Sequence, residues 1–398
     1  MAFKEQIHLY MNHYSTIYKD ELFNHILPFW TEHSLDREYG GYFTCLDRRG
    51  GVFDTDKFMW LQGRQVWLFS SIYNKIETRS SWLDIAVHGA SFMEKHGRDE
   101  EGNWYFSLDR QGKALVQPYN IFSDCFAAMG FGALYTATQE QRYAEIAQDT
   151  FHNILKRRTH TKGIYDKAVP GTRPSKNFAL PMILSNLSIE LEHLLEPNLV
   201  QELIEDIVVE VMDVFYKEEQ GLVFENVSPN GSLLDSFEGR LLNPGHAIEA
   251  MWFMMDLGER LQRPALIEKA MRIGLRMLEH GWDEKYGGIF YFMDAQGKPT
   301  QQLEWDQKLW WVHCETLVCM AKAWVLTGNE EAKRWFERVH EYTWTHFRDP
   351  EHGEWFGYLN RRGEVLLDLK GGKWKGCFHV PRALWKVYEV FEKAKIIV

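Results

Sequence analysis

His246 lies near the start of the stretch NPGHAIEAMWFMM (Asn243–Met255), whose Ala, Ile, Met, Trp and Phe leave no polar face and describe a helix buried all round. Glu249 follows three residues later and points the same way. His379, in CFHVPR, and Arg64, in GRQVW, hold similar places at the start of two other apolar stretches. A helix N-terminus carries positive dipole character that disfavours an imidazolium, so both histidines are expected to be largely neutral at pH 7 and able to act as bases. Removing a carbon-bound proton next to a carbonyl leaves an enediolate, and that anion needs a fixed cation, a role that suits Arg64. Two histidines on different elements can approach one carbon from different sides. One takes the proton, the other delivers it, and the carbon is inverted. Glu249 can orient His246 or bind substrate hydroxyls.

The elements that position these groups emerge from an internal repeat. Six stretches share a glycine followed by an aromatic-rich strand: EYGGYFTCLDRRG (38–50), EEGNWYFSLDRQG (100–112), TKGIYDKAVPG (161–171), EQGLVFENVSPNG (219–231), YGGIFYFMDAQG (286–297) and HGEWFGYLNRRG (352–363). Five end in a turn with Asp, Asn or Ser followed three residues later by Gly, which is hairpin chemistry; the third copy is degenerate. The final glycines, Gly50, Gly112, Gly171, Gly231, Gly297 and Gly363, are spaced by 62, 59, 60, 66 and 66 residues.

Each interval has room for two helices. The first is strongly apolar, over 58–76, 121–137, 177–192, 244–258, 308–325 and 377–393, and the second is amphipathic and charged. This gives six inner helices and five outer ones. An N-terminal helix over roughly 4–30 supplies the sixth outer helix. The expected fold is all-α: an (α/α)6 barrel of six inner and six outer helices, with short β-hairpins over one end. With no linker or low-complexity tract, residues 1–398 read as a single catalytic domain. An open solenoid is the alternative, but a final helix that completes the first pair favours closure.

From each turn glycine to the first unusual polar residue of the next inner helix the offset is similar: 14 for Arg64, 12 for Asp124, 15 for His246 and 16 for both His313 and His379. Equal offsets in a repeat suggest equal depth, so these side chains are expected to ring one pocket, with His313 as support. Metal binding is less attractive. H-E-x-x-H is absent and the carboxylates are not concentrated as in di-metal sites. No G-x-S-x-G appears, and the loop KGGKWKG (370–376) is not a phosphate-loop motif but reads as a flexible substrate lid.

Composition limits the partners. The net charge of −11, without a long basic block, disfavours nucleic acid and anionic membrane surfaces. No apolar run approaches a membrane span and no signal-peptide core is present. Five widely spaced cysteines (Cys45, Cys125, Cys314, Cys319, Cys377) suggest reduced thiols and a cytoplasmic location.

The segments WLQGRQVW, QPYNIFSDCFAA, EGRLLNPGHAIEAMWF, EWDQKLWWVHCE and GGKWKGCFHVPRAL closely resemble those of the N-acylglucosamine 2-epimerase (renin-binding protein) family, and the resemblance runs nearly the whole chain. It implies an (α/α)6 barrel that interconverts N-acetylglucosamine and N-acetylmannosamine. It also implies ATP as a non-consumed activator and a homodimer. Carried over by motif, the catalytic residues are His246, His379 and Arg64. Substrate-binding positions are Glu249, Glu315, Trp374 and Trp311, with Asn177 and Tyr119 as weaker carry-overs. Related cellobiose 2-epimerases and aldose–ketose isomerases carry another histidine on the third inner helix. Pro181 stands there in this chain, which favours the N-acyl-sugar branch over an enzyme of free mannose or cellobiose. Epimers lie close in energy, so the chemistry needs no redox cofactor. The rivals of another class are a glycoside hydrolase, which needs two carboxylates flanking the bond, and a non-enzymatic binding protein.

Overall fold

The computed structural model describes residues 2–167, 169 and 171–397. Its inner helices are α3 (Met59–Lys75), α5 (Phe122–Thr138), α7 (Ala179–Leu191), α9 (Pro244–Arg260), α11 (Trp310–Thr327) and α13 (His379–Ile397). The outer helices are α4 (Ser80–His96), α6 (Gln141–Lys156), α8 (Pro197–Val209), α10 (Pro264–Gly281) and α12 (Glu330–His346). The sixth outer position is filled by α1 (Ala2–Glu21) and α2 (Leu27–His33), joined by the π-helical turn Leu22–Ile26.

Burial separates the two rings as the apolar patterning requires. In α9 every residue from Ala247 to Met255 is buried, whereas α6 and α12 bury one stripe and expose charged residues on the other. Successive inner helices pack side by side from α3 to α13, and each outer helix lies on its inner partner, with α1 against α13. The tightest inner contact is between α3 and α5. A Cβ on Gly63 would sit 2.5 Å from the carbonyl oxygen of Phe126, so only glycine allows the backbones to meet there. That contact sets the depth of the neighbouring Arg64.

The ring closes. Trp67 of α3 packs on Phe378 (5.4 Å between ring centroids) and on Trp385 of α13 (6.0 Å). Asp47 of the first hairpin bridges to Leu369, just before α13. The (α/α)6 barrel therefore replaces the open solenoid.

Five of the turns form as expected. In the first two, Asp47 and Asp109 accept hydrogen bonds from backbone N–H groups across the turn, and Gly50 and Gly112 take φ of +84° and +97°. Of the third stretch, Gly163–Tyr165 forms a 3-10 turn, while Ala168 and Pro170 lie outside the described residues. The strands also pair between repeats. Lys57–Phe58, leading into α3, pairs with Ser107–Leu108 of the next hairpin. The same is seen for Lys176–Asn177 with Asn226–Val227, Leu241–Leu242 with Met293–Asp294, and Lys308–Leu309 with Tyr358–Leu359. The hairpins thus form a collar over one end of the barrel.

Buried ion pairs tie segments of the collar to one another at three places. Lys57 bonds Asp36 (2.9 Å), Lys308 bonds Asp283 (3.2 Å) and Lys370 bonds Asp349 (2.8 Å). Each aspartate also takes an arginine from the following hairpin: Arg110, Arg361 and, across the closure, Arg48. Removing one partner of such a pair leaves a buried charge uncompensated, so these triads fix the order of the repeats.

Candidate active site

A cavity of about 470 Å³ opens among the collar loops, and the first turns of all six inner helices line it. Arg64, His246, Glu249, His379, Trp311 and Trp374 all face it, together with Glu304 and Gln307 from the loop before α11. Phe122 and Phe126 of α5 and Ala179, Met182 and Ile183 of α7 form an apolar wall.

Local sequence explains the placing of His246. Asn243 caps α9 by accepting from the His246 backbone N–H (3.1 Å), and Pro244 takes the first helical position, where a missing N–H costs nothing. Gly245 leaves room for Trp311, since a Cβ there would lie 2.7 Å from its indole ring. Trp311 in turn packs on both histidines, 5.2 Å from the His246 ring and 5.9 Å from that of His379.

His246 is oriented by Glu225, not by Glu249. Its Nδ1 lies 3.1 Å from each Glu225 carboxylate oxygen. Burial works against the imidazolium, but the Glu225 charge and hydrogen bond, with Glu249 beyond, outweigh it and raise the pKa above 6.5. The shift runs opposite to the one a helix dipole alone would give, because a nearby carboxylate works against the dipole.

His379 sits in the opposite field. Burial, then the charges of Arg64 and Arg382, hold its pKa well below 6.5. Its Nδ1–H donates to Glu315 (2.7 Å), which leaves Nε2 as the free base nitrogen. Glu315 also accepts from Trp252 Nε1 (2.9 Å) and pairs with Arg382 (2.8 Å), whose guanidinium bonds Glu249 as well. Glu249, Glu315 and His379 place ligand-type atoms within 4.8 Å of one another, but the Arg382 guanidinium already supplies the positive charge that pairs both carboxylates.

Arg64 is buried between the rings of Phe126 (4.0 Å), Trp60 (4.4 Å) and Phe378 (4.6 Å). Among the described residues no carboxylate lies within ion-pair distance of it, and its Nε has no partner. Burial first, then the charge of Arg382, pushes its pKa down to about 9. It remains a cation at neutral pH with no fixed counterion, which suits it to an anion formed in the cavity.

Several expected site residues lie elsewhere. His313 donates from Nδ1 to the Leu309 carbonyl (2.7 Å), accepts at Nε2 from Ile289 N–H (3.1 Å), and stacks on Tyr342 of the outer ring. Asp124 turns outward to Arg157 (3.0 Å). Equal offsets did not give equal direction, because loops of different length start the helices at different points and each residue turns a side chain by 100°. Glu315 is fully buried behind His379, not on the cavity wall. Asn177 is occupied with Glu225 O, Asn226 and the N–H of Ala179, and Tyr119 packs on Phe106; neither lines the cavity. The loop 370–376 is pinned, since Lys370 and Lys375 are buried on Asp349 and Glu354. Trp374, 47% exposed, projects from it at the cavity mouth.

Glu225 and Arg382 were not singled out from sequence. Strand pairing aligns Glu225 with Thr44, Phe106, Tyr291 and Gly357 in the other repeats. A carboxylate at that uncharged position was the available signal. For Arg382 the signal was a charge one turn into an apolar helix.

Together the closed double ring of helices and the concave site lined by both histidines place the chain among (α/α)6-barrel proteins with a built cavity. The family model described as N-acylglucosamine 2-epimerase (GlcNAc 2-epimerase) matches residues 41–383, and the chain belongs to that family, whose members are isomerases. The N-acylglucosamine 2-epimerase of Bos taurus is 40% identical over 375 residues, covering 90% of this chain and 87% of the bovine protein. The cellobiose 2-epimerase of Dictyoglomus turgidum is more distant, at 23% over 398 residues, covering 93% and 98%. In fold, the chain is similar to the solved cellobiose 2-epimerase of Bacillus thermoamylovorans, with a TM-score of 0.82, 21% identity and coverage of 95% and 99%. No described helix is long and apolar enough to cross a membrane.

Proposed function

We propose that this protein is an N-acylglucosamine 2-epimerase interconverting N-acetyl-D-glucosamine and N-acetyl-D-mannosamine. The observation that carries the reading is the pair of imidazoles that both pack on Trp311, their pKa values shifted in opposite directions, in one cavity with an uncompensated Arg64. After ring opening, neutral His379 removes the C2 proton through Nε2, and the His246 imidazolium, held by Glu225, returns a proton to the other face. The reverse reaction exchanges the roles. In an N-acyl sugar C2 bears nitrogen, so the anion is an enolate with its charge on O1, and Arg64 neutralises it. Trp311 and Trp374 stack on the sugar, and Glu249 and Glu304 accept from its hydroxyls.

The hydrolase reading is weaker because Glu249 and Glu315 are both tied to Arg382 and neither is free to protonate a leaving group. The finer expectations stand as part of this proposal: one catalytic domain, a cytoplasmic homodimer, and ATP as an activator outside the chemistry. Five unpaired cysteines agree with a reducing compartment. The test is incubation with N-acetylmannosamine in D2O, with and without ATP, followed by NMR. The expected result is N-acetylglucosamine carrying deuterium at C2. Released sugar from oligosaccharides without C2 exchange would overturn the reading.

A further inference from the structure

The cavity is chemically lopsided. Arg64, His246, Glu249 and His379 come from α3, α9 and α13, while α5 and α7 contribute only apolar side chains: Phe122, Phe126, Ala179, Met182 and Ile183. Phe126, Met182 and Ile183 are at most 5% exposed, so the wall is a packed surface with its open side toward the cavity. A sugar offers little to such a wall, because its ring edges are hydroxyls that would lose hydrogen bonds there. Two of its backbone positions also offer no donor. The first turn of α7 includes Pro181, which has no N–H, and the N–H of Ala179 is taken by Asn177 (3.0 Å).

The position of Arg64 says which part of the substrate meets this wall. Its guanidinium lies 4.0 Å from the Phe126 ring centroid. An O1 oxyanion held by Arg64 is therefore beside α5, and the nitrogen on C2 is only three bonds from that oxygen. With the C2 hydrogen directed to the histidines, the substituent on that nitrogen falls against α5 and α7. We propose that Phe126, Met182 and Ile183, with Ala179 and Phe122 at the rim, form the acyl-binding wall that sets which N-acyl group is accepted. This rests on the proposed epimerase reading and deepens it. Met182 and Ile183 define the depth of the pocket and Ala179 its opening.

Initial rates on N-acetyl-, N-propanoyl- and N-butanoylmannosamine test the assignment. Each methylene newly accommodated is worth about fourfold in kcat/KM. Met182→Ala is expected to raise the butanoyl-to-acetyl ratio of kcat/KM about tenfold, chiefly through KM. Ala179→Leu adds bulk at a half-buried position and creates no void, so it stands as the second variant should Met182→Ala not fold. It is expected to move the ratio the other way by a similar factor. Ratios within twofold of wild type in the active variants would overturn the acyl-wall assignment while leaving epimerisation intact. A wild-type protein that does not epimerise N-acetylmannosamine would instead overturn the proposed function, and this assignment with it.

Discussion

His246 meets Glu225 symmetrically, with Nδ1 3.1 Å from both carboxylate oxygens. His379 has a carboxylate partner too, Glu315, but with Arg382 beside it and Arg64 near, and these arginines together with the Glu225 contact separate the two imidazoles. His379 lies below its ordinary pKa and is lost as a base only as pH falls. His246 lies above its own and is lost as an acid only as pH rises. The pH profile of kcat/KM is therefore expected to have two limbs, with its plateau including pH 6.5. Glu225→Gln removes the charge that raises the His246 pKa. Its basic limb should move to lower pH, with kcat reduced about 10²-fold, while the acidic limb stays in place. An unchanged basic limb would separate Glu225 from proton transfer.

His379→Asn keeps a small polar group but removes Nε2. Interconversion of the two epimers is expected to vanish, with deuterium uptake at C2 confined to the epimer whose proton faces His246. Interconversion at the normal rate would remove His379 from the proton-transfer step.

Arg64→Lys retains a charge but loses the flat guanidinium held between Phe126, Trp60 and Phe378. Because the interaction strengthens as charge develops on O1, the loss should appear in kcat more than in KM, by about 10²–10³-fold. A change confined to KM would mark Arg64 as a binding group only.

Asp349→Asn leaves Lys370 buried without its carboxylate and cuts the Arg48 contact that closes the ring. A destabilisation of about 3–5 kcal/mol is expected in urea unfolding. The related Asp36 shows the pH sense. Burial would raise its pKa, but Arg110 and Lys57 outweigh it and bring it down to about 2. Its contribution is present above the unfolded value of 3.8 and is lost as pH falls through about 2. Acid unfolding between pH 4 and 2 should therefore become less steep in Asp36→Asn.

The sequence by itself determined the barrel. The glycine-punctuated repeat, the alternation of all-apolar and striped helices, and the Asp-to-Gly turns are local patterns whose physics acts within one or two turns of chain. The inner helices accordingly begin and end within about two residues of the expected ranges, apart from the longer α13. His246, His379 and Arg64 were also legible, as isolated titratable groups in apolar helices. What only the tertiary structure decided is which charges face one another. Glu225 reaches His246 from a loop 21 residues away, and Glu315 reaches His379 across 64. His313 and Asp124 share the repeat offset yet point outward. Repeat spacing fixes where a helix stands in the ring, but the rotation of its first turn, set by the length of the loop before it, fixes where a side chain points. Protonation then follows from those facing charges, which are neighbours in space and strangers in sequence.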